Sequence, residues 1–266
     1  MKNKIILKKK YNQIYENDQK LFFSKYVNGK DISETNQIVL DNLPSLEGKV
    51  VVDLGCGDGE LIYQIAKLGA KKAIGIDYSK PAIELANNSF QGPNLRYECC
   101  NLDDFKEKVD IVITNGTLEH LDDPGEILRK LQLILNADGL IYVTCPHFYN
   151  LRGFIWITLN KLLEVPMSLT DLHNITPSDM EKWSIEANLN LIKQMSYDYD
   201  RANGNRMITD MKKRLTNALS DAKFPTDKID SLLDFCKNFF EYQQKNPNDL
   251  YLEGMSKLYI LQNQKI

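Results

Sequence analysis

Cysteine is scarce in this chain: five occur among 266 residues, and they form no metal-binding or disulfide pattern. Two of them, Cys99 and Cys100, are adjacent, the other three lie far apart, and no Cys-x-x-Cys motif occurs. The three histidines have no ligand spacing with these cysteines, so we expect no metal site. Free thiols suit a reducing compartment, and we therefore expect a cytoplasmic protein.

An excess of charge of one sign is also missing. The 33 Lys and Arg residues against 36 Asp and Glu residues give a formal net charge of −3. Proteins that bind nucleic acids carry clustered basic residues, so the sequence predicts no nucleic-acid partner. The short Lys8–Lys10 cluster is typical of a solvated tail.

Long apolar runs are absent as well. The most apolar stretch, residues 154–167, is interrupted by Asn160, Lys161 and Glu164. It is shorter than the roughly 20 residues that span a bilayer. The apolar part of Met1–Lys10 is too short for a signal peptide. We therefore expect no targeting segment and no stable membrane insertion.

What the sequence does contain is an alternation of short β-branched runs with helical segments. Such an alternation is typical of a parallel sheet covered by helices on both faces. Right-handed crossovers would make that sheet doubly wound. The five predicted strands are Val50–Leu54, Ala73–Asp77, Leu95–Cys100, Val109–Ile113 and Leu140–Cys145.

Helical periodicity and capping residues predict the elements around these strands. Ser79 is a suitable N-cap, and Asp123 and Pro124 begin a helix that extends to Leu135 and closes at Gly139. The elements predicted beyond Cys145 are a helix over residues 176–187, a sixth strand over Leu189–Tyr199, helical chain over residues 205–245 and a last strand over Lys257–Leu261.

The sharpest local feature is the loop Asp53-Leu54-Gly55-Cys56-Gly57-Asp58-Gly59-Glu60, between a strand and a helix. Glycines there let the backbone turn sharply and approach a ligand closely. A dinucleotide fingerprint needs a third glycine where this chain has Glu60. A diphosphate would also meet several carboxylates, and two like charges 4 Å apart cost about 4 kcal/mol at an effective dielectric of 20. The loop therefore favours a cationic or zwitterionic ligand such as S-adenosylmethionine.

Asp77 is the second candidate for ligand binding. It ends the second predicted strand, about 20 residues beyond the glycine loop, where an acid can bind a ribose. A carboxylate accepts two hydrogen bonds from a vicinal diol. The alternative is that Asp77 caps the helix that follows Ser79.

Three motifs, Val51–Gly59, Gly75–Ser79 and Leu118–Pro124, resemble those of the class I S-adenosylmethionine-dependent methyltransferases. The last is similar to the branch that contains the ubiquinone- and menaquinone-type enzymes and many natural-product methyltransferases. The resemblance implies an α/β fold of the Rossmann-like methyltransferase type. Its doubly wound, seven-stranded sheet is mostly parallel, ends in an antiparallel hairpin and carries helical lid insertions.

The resemblance also divides the chain into sections. It implies an N-terminal helical cap over residues 1–48 and a cofactor-binding α/β core over residues 49–147. A lid insertion follows over residues 148–175. Residues 176–266 then complete the core sheet, with a helical insertion at about residues 200–250.

Cofactor contacts are implied residue by residue. Gly55 and Gly57 would contact the methionine part of the cofactor, and Asp77 would hold its ribose. Asp53 would orient either the loop or, through a water molecule, the ammonium group. Asn101 stands where an acid usually accepts the adenine amine. The complete predicted set is Tyr11, Tyr15, Asp53, Gly55, Cys56, Gly57, Asp77, Tyr78, Asn101, Leu102, Asn115, Gly116 and His120.

Methyl transfer is an in-line displacement, in which alignment of the reactants contributes about 7–11 kcal/mol. A general base is needed only where the nucleophile must lose a proton. His147, which follows the fifth strand, is the first candidate base, and His173 is the second. The predicted substrate contacts are Tyr149, Arg152, Trp156 and Tyr199.

We therefore expect methyl transfer to an oxygen or nitrogen of a small-molecule acceptor, with S-adenosylhomocysteine as the product. Three alternatives stay open: a nicotinamide-dependent oxidoreductase on a similar sheet, a protein or RNA methyltransferase, and a cofactor-binding regulatory protein. The sequence leaves the oligomeric state open between monomer and homodimer.

Overall fold

The structure of the protein, a computed structural model, describes residues 32–168, 170–246 and 253–264. The chain folds as two compact units. The first is drawn from Met1–Cys145, Ser178–Gln194 and Leu258–Ile266, and the second from Pro146–Pro177 and Met195–Lys257.

Seven strands of the described chain form one sheet. They are β1 (Val50–Leu54), β2 (Lys72–Asp77), β3 (Leu95–Cys99), β4 (Val109–Asn115), β5 (Leu135–Pro146), β6 (Leu189–Tyr197) and β7 (Ser256–Asn263). Their order across the sheet is β3-β2-β1-β4-β5-β7-β6. The first five strands pair in parallel, in agreement with the predicted doubly wound arrangement.

The last strand runs antiparallel to its neighbour β6. The Gln264 N–H donates to the Asn188 carbonyl at 3.2 Å, and the Met255 N–H donates to the Asp198 carbonyl at 3.2 Å. The end of β7 therefore lies beside the start of β6, and the start of β7 beside its end. The predicted seven-stranded, mostly parallel sheet with a closing antiparallel hairpin is confirmed.

Helices flank the strands, and several begin at the capping residues that the sequence offers. The Ser79 hydroxyl accepts the Ala82 N–H, and the Asp123 carboxylate accepts the Glu126 N–H at 2.9 Å. No helix of the described ranges is long and apolar enough to cross a bilayer. The helices are α1 (Glu34–Leu40), α2 (Glu60–Lys67), α3 (Lys80–Ser89), α4 (Pro124–Ile134), α5 (Leu151–Leu163), α6 (Pro177–Glu186), α7 (Tyr199–Asn203), α8 (Asn205–Asp221) and α9 (Ile229–Lys245).

Two predicted boundaries were wrong. Helix α4 ends at Ile134, because Leu135 adopts an extended backbone and pairs with Val109 of β4. Leu135 is therefore part of β5, and Gly139 lies inside that strand rather than at a helix end. The sixth strand stops at Tyr197, because Asp198 turns the chain with a left-handed φ of 58° and caps α7.

Each unit contains buried hydrophobic residues. In the first, β-branched residues of the central strands, such as Val52, Ile74 and Ile113, are fully buried. In the second, the aromatic ring of Trp156 on α5 packs with residues of α8 and α9. The buried members of that cluster are Trp156, Met207, Met211, Leu215, Ile229, Leu233, Cys236 and Phe240.

Candidate functional site

The first unit contains a cavity of about 230 Å³ beside the carboxyl ends of β1, β2 and β4. Ligands bind at this edge in open α/β sheets. Predicted residues that line it are Asp53, Gly55, Cys56, Gly57, Asp77, Tyr78, Asn115, Gly116 and His120. Its lining also includes residues outside the predicted set, namely Asn36, Asp58, Leu61, Thr117 and Leu121.

The glycine loop has a backbone that only glycine adopts easily. Gly55 and Gly59 have φ values of 76° and 83°. A Cβ atom on Gly55 would lie 2.6 Å from the Thr117 hydroxyl oxygen, and one on Gly59 would lie 2.7 Å from the Tyr97 ring. Two features therefore favour glycine in this loop: the left-handed backbone, and the close approach of the Thr117 and Tyr97 side chains.

Asp77 joins the end of β2 to this loop. Its Oδ2 accepts the Gly57 N–H at 3.2 Å, and its Oδ1 accepts the Ser79 N–H at 2.8 Å. A carboxylate oxygen can accept more than one hydrogen bond, so both atoms keep acceptor capacity for the hydroxyls of a ribose. The helix-start role and the ribose role that the sequence left open are thus compatible.

Carboxylates dominate the electrostatics of the cavity. Asp53 is 2% exposed, and its Oδ1 has no hydrogen-bond partner among the described residues. Burial, followed by the charges of Asp77 and Asp58, raises the pKa of the Asp53 carboxyl to about 8. Burial also raises the pKa values of Asp58 and Glu60. Among the described residues that line the cavity there is no Lys or Arg.

Cys56 lies in the same acidic environment. Its side chain is buried, and burial followed by the charges of Asp53 and Asp77 raises the pKa of its thiol well above the usual value. The thiolate is the reactive form of cysteine. Cys56 therefore fills space in the loop and does not act as a nucleophile.

A chain of side-chain amides closes one side of the cavity. The Thr144 hydroxyl donates to Asn115 Oδ1, and Asn115 Nδ2 donates to Asn36 Oδ1 at 2.6 Å. The Asn36 amide in turn donates to the Glu60 carboxylate. Gly116, with a φ of 60°, donates its N–H to the Thr144 carbonyl at 3.1 Å. Helix α1 is thereby connected to α2 and to the end of β4.

Two predicted cofactor contacts lie away from the cavity lining, and two more fall outside the described residues. Asn101 is exposed, and its amide approaches Asp104 Oδ2 at 3.4 Å. Leu102 is buried in the short 3-10 turn that follows β3. Neither residue lines the cavity. Tyr11 and Tyr15 lie outside the described residues, and their contacts stay predictions.

The structure places the first candidate base in the second unit. His147 is 1% exposed, and its Nε2 lies 3.0 Å from Glu253 Oε2, which also pairs with Lys257 Nζ at 2.6 Å. Burial lowers the pKa of His147 to about 4, and the charge of Glu253 opposes that shift. The imidazole is therefore neutral at pH 7. The second candidate, His173, is half-buried.

The predicted substrate residues differ in their surroundings. Tyr149 is 53% exposed and packs edge-on against the His147 ring, with ring centroids 5.4 Å apart. Tyr199 is also exposed, and its hydroxyl lies 3.0 Å from the Ser196 hydroxyl. Two more are buried: Arg152 pairs with Asp210 at 3.4 Å, and Trp156 belongs to the hydrophobic cluster of the second unit.

The residues that line the cavity fit S-adenosylmethionine. This molecule has a sulfonium, an ammonium, a carboxylate and a ribose diol, and it has no phosphate. The unpartnered Asp53 oxygen suits a cationic group, and Asp77 suits the diol. A diphosphate would instead face three carboxylates, from Asp53, Asp58 and Asp77. The fold and this cavity define a class I methyltransferase.

Known proteins resemble this chain in sequence. A family model described as a methyltransferase domain matches residues 45–183. A ubiquinone biosynthesis O-methyltransferase from Cupriavidus pinatubonensis is 29% identical over 171 residues, which are 60% of this chain and 68% of that protein. One from Glaesserella parasuis is 26% identical over 174 residues, 60% of this chain and 73% of that protein. The chain belongs to this methyltransferase family, and its cofactor is S-adenosylmethionine.

Solved structures share the fold at low sequence identity. A putative methyltransferase, solved in a complex with the Haloferax volcanii Trm112 methyltransferase activator, aligns over 96% of this chain and 97% of its own. The TM-score is 0.63 at 16% identity. A methyltransferase from Thermotoga maritima, described as a possible histamine N-methyltransferase, aligns over 96% and 99% of the two chains, with a TM-score of 0.58 at 14% identity. At these identities the likenesses show a shared fold and nothing further.

Some residues that line the cavity could have been found from the sequence and others could not. Asp58 and Leu61 belong to the loop and helix that the motif already marks, and Thr117 directly precedes another motif. No sequence motif marks Asn36. It is a single amide on a short helix, outside the segment that matches the family model.

Proposed function

We propose that this protein transfers a methyl group from S-adenosylmethionine to a hydroxyl oxygen of a small organic molecule. The observation that carries the choice of donor is the acidity of the cavity, which the carboxyl groups of Asp53, Asp58 and Asp77 line with no Lys or Arg among the described lining residues. The oxygen acceptor is supported by relatives whose names describe O-methyltransferases of ubiquinone biosynthesis. A nicotinamide dinucleotide would bring its diphosphate against the same carboxylates, so an oxidoreductase is disfavoured.

The first unit binds and orients the donor. When bound, S-adenosylmethionine supplies a methyl group attached to a positively charged sulfur. The Asp77 carboxylate accepts the ribose hydroxyls, and Asp58 attracts the positive charge. The bound cation in turn favours the ionised form of the Asp53 carboxyl, which is protonated in the ligand-free fold. The fixed backbone of the glycine loop holds these carboxylates in place. Such orientation accounts for about 7–11 kcal/mol of barrier lowering in well-aligned reactions.

A hydroxyl acceptor must lose its proton, and we assign this step to His147. The neutral ring can accept a proton, and the Glu253 carboxylate at 3.0 Å stabilises the imidazolium that forms. The Tyr149 side chain packs edge-on against this buried ring. His173 is the second candidate for the base.

We place acceptor recognition on the second unit. Tyr149 and Tyr199 are exposed aromatic side chains that can contact an apolar or aromatic acceptor. Arg152 and Trp156 support this surface from inside the unit, Arg152 through Asp210 and Trp156 through the hydrophobic cluster. The segment 148–175, which contains α5, serves as the lid in this proposal.

Titration calorimetry tests the donor directly. We expect saturable binding of S-adenosylmethionine and S-adenosylhomocysteine and no binding of NADH or NADPH. Binding of a nicotinamide nucleotide, with no binding of either methionine nucleoside, would contradict the proposal.

Transfer of an isotope-labelled methyl group tests the acceptor. The labelled donor is incubated with small phenols and catechols, small amines, total RNA and total protein, in separate reactions. Label in the phenol or catechol products supports the proposal. Label in amines, RNA or protein alone would reject an oxygen acceptor. Binding of the donor without label in any product would favour a regulatory role.

A further inference from the structure

Helix α1 brings a residue to the cavity from outside the segment that matches the family model. We propose that Asn36 is a positioning residue that holds the Glu60 carboxylate in its charged form and thereby makes the cavity prefer the cationic donor over its neutral product. This inference rests on S-adenosylmethionine as the donor in the proposed function. Helix α1 then contributes to the selectivity of the cavity between S-adenosylmethionine and S-adenosylhomocysteine.

The geometry uses both ends of the Asn36 amide. Its nitrogen donates to Glu60 Oε2, and its oxygen accepts Asn115 Nδ2 at 2.6 Å. Asn115 is held from the other side by the Thr144 hydroxyl. A carboxylate cannot donate and an aliphatic side chain can do neither, so this double contact requires an amide.

Glu60 needs such a donor because its surroundings oppose its charge. It is 1% exposed, and its Oε1 has no hydrogen-bond partner among the described residues. Burial raises its pKa, the hydrogen bond from Asn36 is the largest opposing contribution, and Asp58 raises the pKa further. The groups that face Glu60 are Asn36 of α1, Gln64 of α2, Asp58 of the loop and Asp53 of β1. None of these is a cation.

The charge of Glu60 affects the two ligands unequally. S-adenosylmethionine has one more positive charge than S-adenosylhomocysteine, and the two share all other groups. A buried carboxylate that is hydrogen-bonded to the cavity residue Asn36 therefore stabilises the donor more than the product. Loss of the Asn36 hydrogen bond raises the pKa of Glu60. At a pH below that raised value Glu60 is protonated and the preference falls, and at a higher pH the charge and the preference return.

Calorimetry of both ligands between pH 6 and 9 tests this assignment with purified protein and without any acceptor. For Asn36→Ala at low pH we expect affinity for S-adenosylmethionine to fall by about tenfold, the scale of one hydrogen bond to a charged group. Affinity for S-adenosylhomocysteine should fall much less. The variant's losses of affinity for the two ligands, each measured against the wild type at the same pH, should become equal as the pH rises.

The adjacent Gln37 provides the matched control. It is exposed on the same helix, and its amide donates to Asp41 Oδ1 at 2.6 Å rather than to the cavity. Gln37→Ala should leave both affinities unchanged at every pH. Glu60→Gln should remove the pH dependence that Asn36→Ala introduces and leave the part that Asp53 contributes, and adding Asn36→Ala to it should not change the ligand preference further.

Asn36→Asp tests the same idea with a side chain of nearly equal shape, in case the alanine variant does not fold. It loses the donor and adds a carboxyl, so its preference for S-adenosylmethionine should rise with pH and exceed that of the wild type at pH 9. Equal losses for both ligands at all pH values, or no change in either Asn36 variant, would overturn the proposal. Failure of the wild type to bind either ligand would instead reject the proposed function.

Discussion

The two units of this protein treat their buried polar groups differently. In the first, Asp53 and Glu60 each keep an unpartnered oxygen among the described residues, and Asp53 lines a cavity. In the second, buried Arg152 pairs with Asp210, and buried Lys257 pairs with Glu253. Some buried nitrogens of the second unit, such as Arg152 Nε and Trp156 Nε1, also lack a partner among the described residues. In the first unit, however, the unpartnered atom at the cavity is an acid oxygen of Asp53, and no Lys or Arg is among the described lining residues. That oxygen indicates a ligand that completes the site.

The two units also differ in how far their functional residues can be located from the sequence. The first unit has short motifs, in which a strand end, a glycine turn and a helix start place functional groups within a few residues. The second has a core assembled from residues far apart in the chain, such as Trp156, Met207 and Phe240. The helices and strands of the second unit can be predicted from the periodicity of its hydrophobic residues. Its candidate functional residues, in contrast, form no short sequence motif.

The largest effect is expected from removal of the proposed base. His147→Gln should lower turnover by about 10²–10⁴-fold, because a positioned general base contributes that much. Affinity for S-adenosylmethionine, measured by calorimetry, should change less than about twofold, since the donor site lies in the first unit. His173→Gln is the paired variant. Turnover of His147→Gln equal to the wild type would remove His147 from catalysis.

The second prediction concerns the core of the second unit. Trp156→Ala should destabilise this unit by about 3–5 kcal/mol, the usual loss for a buried tryptophan. The chain contains two tryptophans, so Trp183 of the first unit becomes the only indole fluorophore in the variant.

Urea denaturation followed both by circular dichroism and by Trp183 fluorescence checks this prediction. The dichroism transition should move to lower urea, and the fluorescence transition should move less. Coincident transitions with an equal shift would show that the two units unfold together.

The third prediction concerns the glycine loop. Gly55→Ala should destabilise the first unit by about 2–4 kcal/mol, because it combines a left-handed residue with a steric clash. The clash is with the Thr117 side chain, so Thr117→Ala should restore part of the stability and of the affinity for S-adenosylmethionine.

Substitution of Gly48 separates the cost of the left-handed backbone from the cost of the steric clash. It also has a positive φ, of 73°, but a Cβ atom there would meet nothing within 4 Å. Gly48→Ala should cost only about 1–2 kcal/mol, measured by the same urea denaturation. Equal losses for the two variants would show that the approach of Thr117 is unimportant.

The smallest effect is the pH dependence caused by Asp53. Its pKa is near 8 in the ligand-free fold and about 4 in an unfolded chain, so the folded state holds an extra proton between these values. Stability therefore falls as the pH rises from about 4 to 8. Asp53→Asn should reduce that fall by about 1–2 kcal/mol, because neighbouring carboxyls share the proton.

Urea denaturation at several pH values, without ligand, measures this difference. Asp234→Asn is the control, since Asp234 is an exposed acid on α9. It should leave the pH dependence unchanged. A wild-type stability that is level between pH 5 and 8 would contradict the buried, protonated Asp53.

Much of the first unit could be predicted from the sequence. Its first strand is a short β-branched run between Gly48 and Gly55, and Asp77 ends the next strand about 20 residues beyond the glycine loop. Asn36 could not be found in this way, because its contacts with Glu60 and Asn115 join three elements distant in sequence. The start of β5 at Leu135 was missed for a similar reason, since pairing with Val109 overrides a helical pattern.

The protected thiol of Cys56 has a practical consequence for experiments. Alkylating reagents and peroxide react with thiolates, and burial among carboxylates suppresses that form at Cys56. Cys99 is exposed instead, and its sulfur lies 3.8 Å from the carbonyl of Tyr78, a residue at the cavity. A maleimide fluorophore attached to Cys99 would therefore lie close to the cavity residue Tyr78, and a change in its emission would report ligand binding while the buried Cys56 stays unmodified.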